Sequence, residues 1–192
     1  FDTMKYFSDF FYSKIQLKSL WIMLILYAVI GFGIIPYKTA QMQQQYGEHL
    51  MPFDLTFGYD KAFADSFLDQ LGENGRTEYV QFVKIYDSIY PFIYGGLLLT
   101  MLTLLISRGG YTHSKWRVLN LLPILIVLVD FGENTCSIYN TTHFPSYSLT
   151  LLKIGSVLTQ IKWSLVLLTF IAIIYFGFKA FKRRRVYLSQ SV

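Results

Sequence analysis

Asp130, Glu133 and Asn134 are separated by offsets of three and four, which put all three on one face of a helix. Gln160 and Lys162, with Thr159 just before them, stand in the next apolar run of the chain. An uncompensated charge near the centre of a bilayer costs roughly 2.5–3.5 kcal/mol. These groups are therefore expected to face inward and to answer one another. One reading is a buried ion pair between Asp130 or Glu133 and Lys162, with Asn134 and Gln160 completing the hydrogen bonds. The other starts from the charge sum, since two carboxylates and one ammonium leave a surplus negative charge. One carboxylate would then be protonated, paired with Lys153, or holding a substrate or cation. In that case Asp130 and Glu133 are the acid–base or proton-relay candidates and Lys162 is their counter-ion. Counting the rise along the helix puts Asp130 nearer the midplane, at the level of Lys162, and Glu133 about one turn nearer the outer face. Asp130 is thus expected to be the structural partner, and Glu133 the group that meets a proton or ligand. Asn134 would orient Glu133, and Tyr86 and Tyr90 would line the entrance. Asp87 and Gln160 complete the candidate binding set.

The elements that must position these groups are apolar runs. Hydrophobic residues make up 53% of the 192 residues, and the mean hydropathy is +0.38. The runs are long enough to cross a hydrocarbon core. Four spans are expected, at about 20–37, 87–107, 118–139 and 149–178, within a single membrane domain covering 1–192. Span one ends at Pro36. It has the length of a full span and lacks a small-residue cleavage site, so it reads as retained rather than as a signal peptide. Span four exceeds the usual length, so it tilts or projects past the bilayer. Residues 4–19 mix aromatics with charge, and suit either an interfacial amphipathic helix or a plain lead-in to span one.

Basic residues set the orientation. Arg108, Lys115 and Arg117 lie between spans two and three, Lys5, Lys14 and Lys18 precede span one, and Lys179, Lys182, Arg183, Arg184 and Arg185 follow span four. All fall on one side of a four-span chain, which by the positive-inside rule is the cytoplasmic side of a plasma (inner) membrane. Residues 38–86 then lie outside and carry most of the acids. Phe63, Phe67, Leu68 and Leu71 recur at helical spacing up to Gly72–Gly75, and a second helix is expected from Arg76 into span two. Tyr79, Phe82, Val83, Tyr86 and Tyr90 share a face of it. This segment is read as a small helical extracellular cap whose aromatic face rests on the bilayer or the bundle mouth.

Several classes are disfavoured. The net charge of +5 is concentrated beside apolar runs, where anchoring charge belongs, so no nucleic-acid partner is expected. Cys136 is the single cysteine, which excludes an intrachain disulfide and a thiolate metal site. His49, His113 and His143 lie in three separate connections, with His113 on the opposite side. No metal and no cofactor is expected, and none of the common hydrolase or phosphate-loop motifs is present. Gly95-Gly96 and Gly155-Ser156 read as small-residue packing points. Asn140-Thr141-Thr142 is a glycosylation sequon on the expected outer side.

The chain resembles a group of small bacterial four-span membrane proteins. The resemblance is carried by Gly75-Arg76, Tyr79, Asp87 and Tyr90-Pro91, by Leu121-Leu122-Pro123 with Asp130-Phe131-Gly132-Glu133-Asn134, and by Thr159-Gln160-Ile161-Lys162-Trp163. It covers residues 20 to about 178 and implies the four-span plan, the Asp/Glu/Lys cluster as a unit, and no particular activity. The residues themselves fit an all-α integral membrane protein: a four-transmembrane-helix bundle with a helical cap between spans one and two. Such a chain would serve as an accessory subunit or a binding or scaffolding protein, its partners the bilayer and other membrane subunits. The alternative is a membrane-embedded enzyme or carrier for a lipid or other apolar small molecule. A cavity reaching Asp130 and Glu133 would favour the alternative, and a dry, packed cluster the first.

Overall fold

The computed structural model describes residues 2–47 and 50–190, so Glu48 and His49 lie outside the described residues. Among those described, the elements are α-helices joined by short 3₁₀ and π turns, with no strand. The helices are α1 (Asp2–Lys14), α2 (Leu17–Val29), α3 (Ile35–Tyr46), α4 (Lys61–Phe82), α5 (Tyr90–Gly109), α6 (Leu122–Thr142) and α7 (Leu149–Gln190). Four helical stretches are long and apolar enough to cross a membrane: Leu17–Tyr46, Lys61–Gly109, Lys115–Thr142 and Leu149–Arg184.

The first of these corrects the expectation that Pro36 ends the run. A π turn, Ile30–Ile34, joins α2 to α3, and Pro36 falls in the first turn of α3. A proline there removes an N–H that needs no partner at a helix start, and the wider π turn absorbs its ring. The helix therefore runs on to Tyr46. The short segment at the N-terminus is a separate helix. Ser8 of α1 is fully buried and hydrogen bonds Asn120 at 3.0 Å, Tyr12 donates to the Arg117 carbonyl, and Asp9 pairs with Arg117. Tyr6, Phe7 and Phe10 point away from this contact and are exposed.

In α4 the side chain of Asp60 accepts from the Phe63 N–H and caps the helix. Gly72 then breaks the helical path (φ 62°, ψ −175°), a conformation that needs glycine. The guanidinium of Arg76 covers the Leu68 carbonyl near the break, at 2.9 Å. The kink folds the two halves of α4 around their own aromatics. Phe53, Phe67 and Tyr79 form one cluster with ring centroids 4.9–6.3 Å apart, buried with Leu50, Leu68, Leu71, Val83 and Leu152. Leu152 of α7 and Ile138 of α6 close this cluster, and the Tyr79 hydroxyl lies 3.3 Å from that of Ser137 of α6, so of the face expected to rest on the bilayer or the bundle mouth, Tyr79 and Val83 meet the bundle.

Below that cluster, α5, α6 and α7 pack together, with Leu98, Leu102, Ile106, Ile126, Ile173 and Phe176 between them. Close approach is built into the sequence: a Cβ on Gly95 would meet Val127 at 2.4 Å. The α2 helix packs on α5, and none of its residues is buried. Trp21, Ile22, Ile25, Leu128, Leu167 and Ile174 are all exposed, an apolar exterior opposite to that of a water-soluble domain. The end of α7 and the α5–α6 connection meet, since a Cβ on Gly109 would lie 3.6 Å from that of Lys179. With α1 docked on Arg117 and Asn120, these three segments occupy one end of the molecule.

Candidate functional site

Asp130, Glu133 and Lys162 come together between α6 and α7. They are 3%, 1% and 6% exposed. The Lys162 ammonium lies 3.3 Å from Asp130 Oδ1, to which it donates, and 2.6 Å from Glu133 Oε2. The latter contact is an ion pair without hydrogen-bond alignment. Thr159 donates to the other oxygen of Glu133 at 2.7 Å, and the Tyr94 hydroxyl donates to Asp130 Oδ2. Both carboxylates are thus held by one cation and one hydroxyl each.

The two differ in what lies beside them. A cavity of about 370 Å³ opens against Asp130 and Lys162, and Glu133 takes no part in its lining. The same polar end contains Asp87, from the π turn Val83–Asp87, and Asp54, from the 3₁₀ turn Phe53–Leu55. Tyr27, Tyr90 and Tyr94 form one wall, with Tyr27 and Tyr90 stacked at 6.1 Å and Tyr90 and Tyr94 edge-on at 5.2 Å. The rest is apolar: Leu97, Leu98, Met101, Val166 and Phe170. This lining draws on α2, α5 and α7, and α2 and α7 meet only marginally, so the cavity lies in the cleft between them.

Asp54 reaches the site because its segment is pinned to α7 at three points. The Trp163 indole donates to the Asp54 carbonyl at 3.0 Å, Ser156 Oγ accepts from the Tyr59 N–H at 2.8 Å, and Gln160 packs over Gly58. A Cβ on Gly155 would meet the Tyr59 hydroxyl at 2.4 Å, so the small residue permits that seat. Burial pushes the Asp54 carboxyl above the ordinary carboxylate range, and the nearby Lys162 ammonium only partly opposes this.

The remaining candidates divide. Asn134 donates to the Asp87 carbonyl at 3.0 Å and so fixes the π turn that presents Asp87. Asp87 and Tyr90 line the cavity with Asp130. Tyr86 does not, and lies with Lys38, Gln41 and Gln81 along a separate groove between α3 and α4. Gln160 is exposed over Gly58, away from the ion pair. Asn140 is 1% exposed, which removes it as a glycosylation acceptor in the folded chain. His113 and His143 flank opposite ends of α6, about 30 Å of helix apart. Among the described residues, no three His, Cys, Asp or Glu side chains converge as a metal-ligand group would.

Sequence reasoning missed Asp54, Tyr94 and Tyr27. For Asp54 one signal was present: a lone acid inside Met51-Pro52-Phe53-Asp54-Leu55, a run too apolar for an exposed loop. Compared with known proteins, the chain matches no protein family, no curated protein and no solved structure.

Proposed function

We propose that this is a multi-pass membrane protein that binds or carries a lipid or other apolar small molecule in the cleft between α2, α5 and α7. The observation that carries the reading is the cavity itself. It is apolar along most of its length, ends on an ion pair, and has a volume within the roughly 300–1,000 Å³ of small-molecule sites. Ionisable groups at membrane depth are functional candidates by default, and here Asp130 and Lys162 both face open space.

The membrane placement is supported by the exposed apolar sides of the four long helices and by the distribution of charge. The N-terminal helix, the α5–α6 connection and the end of α7 share one end of the molecule and carry most of the basic residues. On the positive-inside rule that end is cytoplasmic, at a plasma (inner) membrane, and residues 38–86 form an outer cap. The competing reading is an accessory or scaffolding subunit with the cap aromatics as its contact surface; we favour the cavity because Phe53, Phe67 and Tyr79 are buried against one another and Leu152 rather than presented outward. On the favoured reading the roles expected of the two carboxylates exchange. Asp130 meets the ligand, and Glu133 holds Lys162 in place.

The test is to purify the chain and its Val166→Phe variant from the same cells and compare the small molecules each releases on denaturation, by mass spectrometry. Val166 is half-buried on the cavity wall, so the larger ring fills the cavity without removing a polar contact. A species released by the wild type and depleted at least tenfold in the variant is expected. Identical release from both overturns the reading.

A further inference from the structure

Four carboxyl groups, those of Asp54, Asp87, Asp130 and Glu133, gather around a single ammonium, that of Lys162. Glu133 and Asp130 take up that ammonium and both have a hydroxyl donor. Asp87 has neither. It is 9% exposed, it lines the cavity, and its carboxylate makes no hydrogen bond or ion pair among the described residues, although its own backbone carbonyl is taken by Asn134. A buried carboxylate without a partner is costly, and the open side of this one is the cavity. Asp54 faces the same space from the opposite element, the 3₁₀ turn held on α7 by Trp163.

The wall between the carboxyls and the apolar end is aromatic. Tyr27, Tyr90 and Tyr94 form a continuous ladder from α2 to Asp130. Ring faces carry negative potential and attract an alkylammonium, most strongly where water is excluded. Acids, tyrosines and an apolar channel thus follow one another along one cavity. We infer that the ligand is a cationic amphiphile, an organic ammonium whose head sits between Asp87 and Asp54 against the tyrosine ladder and whose apolar tail lies along Leu97, Leu98 and Val166. This rests on the cavity reading above and names its ligand class.

The test uses the full chain in maltoside micelles, which bring no ammonium group, with Trp21→Phe and Trp116→Phe so that Trp163 in the cavity lining reports binding. Octyltrimethylammonium, octanol and octyl sulfate are titrated separately and Trp163 emission is followed. Saturable binding of the cation is expected at least tenfold tighter than that of octanol. Asp87→Asn and Asp54→Asn should each weaken the cation about tenfold and leave octanol within twofold. Both changes keep shape, and Asp87→Asn breaks no observed contact, so a folded variant is available even if one fails. Octanol binding as tightly as the cation overturns the ammonium assignment and leaves the cavity reading standing. Tighter binding of octyl sulfate also overturns it, and makes Lys162 the recognition group. If none of the three saturates, the cavity reading falls with it.

Discussion

Replacing Lys162 by leucine is the most informative single perturbation of the cluster. The change leaves Asp130 and Glu133, both almost fully buried, without their cation. Breaking a buried pair by removing one partner costs about 3–5 kcal/mol, because the stranded charge must be neutralised or exposed. The structure ranks the possible rescues. Asp130 keeps the Tyr94 hydroxyl and borders a cavity, so it can take up a proton or water once Lys162 is gone. Glu133 keeps only Thr159 and takes no part in lining that cavity. Lys162→Leu combined with Glu133→Leu should therefore recover more than half of the loss, and Lys162→Leu with Asp130→Leu clearly less. The assay is reversible unfolding in mixed maltoside and dodecyl sulfate micelles, followed by helical circular dichroism. A single variant within about 1 kcal/mol of wild type would refute the argument, since that is the range of an exposed pair. So would a double variant with Glu133 no more stable than the single.

Other outcomes follow from the same contacts. Gly155→Val should destabilise the chain by about 1–3 kcal/mol, because its side chain would enter the space of the Tyr59 hydroxyl; the unfolding assay reads this directly. Ser8→Ala should cost about 1 kcal/mol and loosen α1, seen as faster amide exchange across residues 3–14, because a buried hydrogen bond to Asn120 is lost. Asp54 supplies a pH dependence: its carboxyl is held above the ordinary 3.8 by burial, with Lys162 opposing and Asp130 adding, while Asp87, Glu133 and Tyr59 face it as well. The folded chain then binds that proton better than the unfolded one, so the stability it adds is complete below about pH 4 and is lost as pH rises through the folded value. Asp54→Asn should thus raise the melting temperature more at pH 7 than at pH 4, and an equal change at both would contradict this. Cysteines at Asn74 and Gly110, with Cys136 replaced, should label from opposite sides of the membrane, and labelling from one side alone would overturn the four-crossing topology.

The all-helical architecture and the four long apolar helices were legible because an uninterrupted apolar stretch of that length suits a helix in hydrocarbon and little else. The pairing of α6 with α7 was also legible, from like depth and a short connection, and it brings Asp130 and Glu133 to Lys162. Helix ends were less so. Pro36 reads as a stop in sequence, yet a π turn placed just before it lets the helix continue, and nothing in Ile30-Gly31-Phe32-Gly33-Ile34 marks that turn. The aromatic periodicity of residues 63–90 announced two helices parted at Gly72–Gly75, and the helical path does break at Gly72. Periodicity says nothing about what each face meets, and here Phe67 and Tyr79 of the two halves pack on each other and on Leu152 of α7.

The charge surplus was readable as arithmetic, but its place was not. From Asp130, Glu133 and Lys162 alone, one carboxylate too many follows, and depth along the helix pointed to Glu133 as the spare. On the proposed reading it is Asp130 instead, because Asp130 lines the cavity and Glu133 does not. What decides which carboxylate meets a ligand is rotation about the helix axis relative to open space, and that is set by neighbours distant in sequence. Tyr94 of α5 reaches Asp130, Thr159 of α7 closes over Glu133, and α2 stands off from α7. Two further acids, Asp54 and Asp87, enlarge the surplus by a route no helical spacing encodes. One arrives on a 3₁₀ turn pinned by Trp163, the other on a π turn held by Asn134. The surplus therefore belongs to the cavity rather than to α6. On the proposed reading, a group that relieves it enters from the cleft, so the charge of the ligand and its apolar part share one opening.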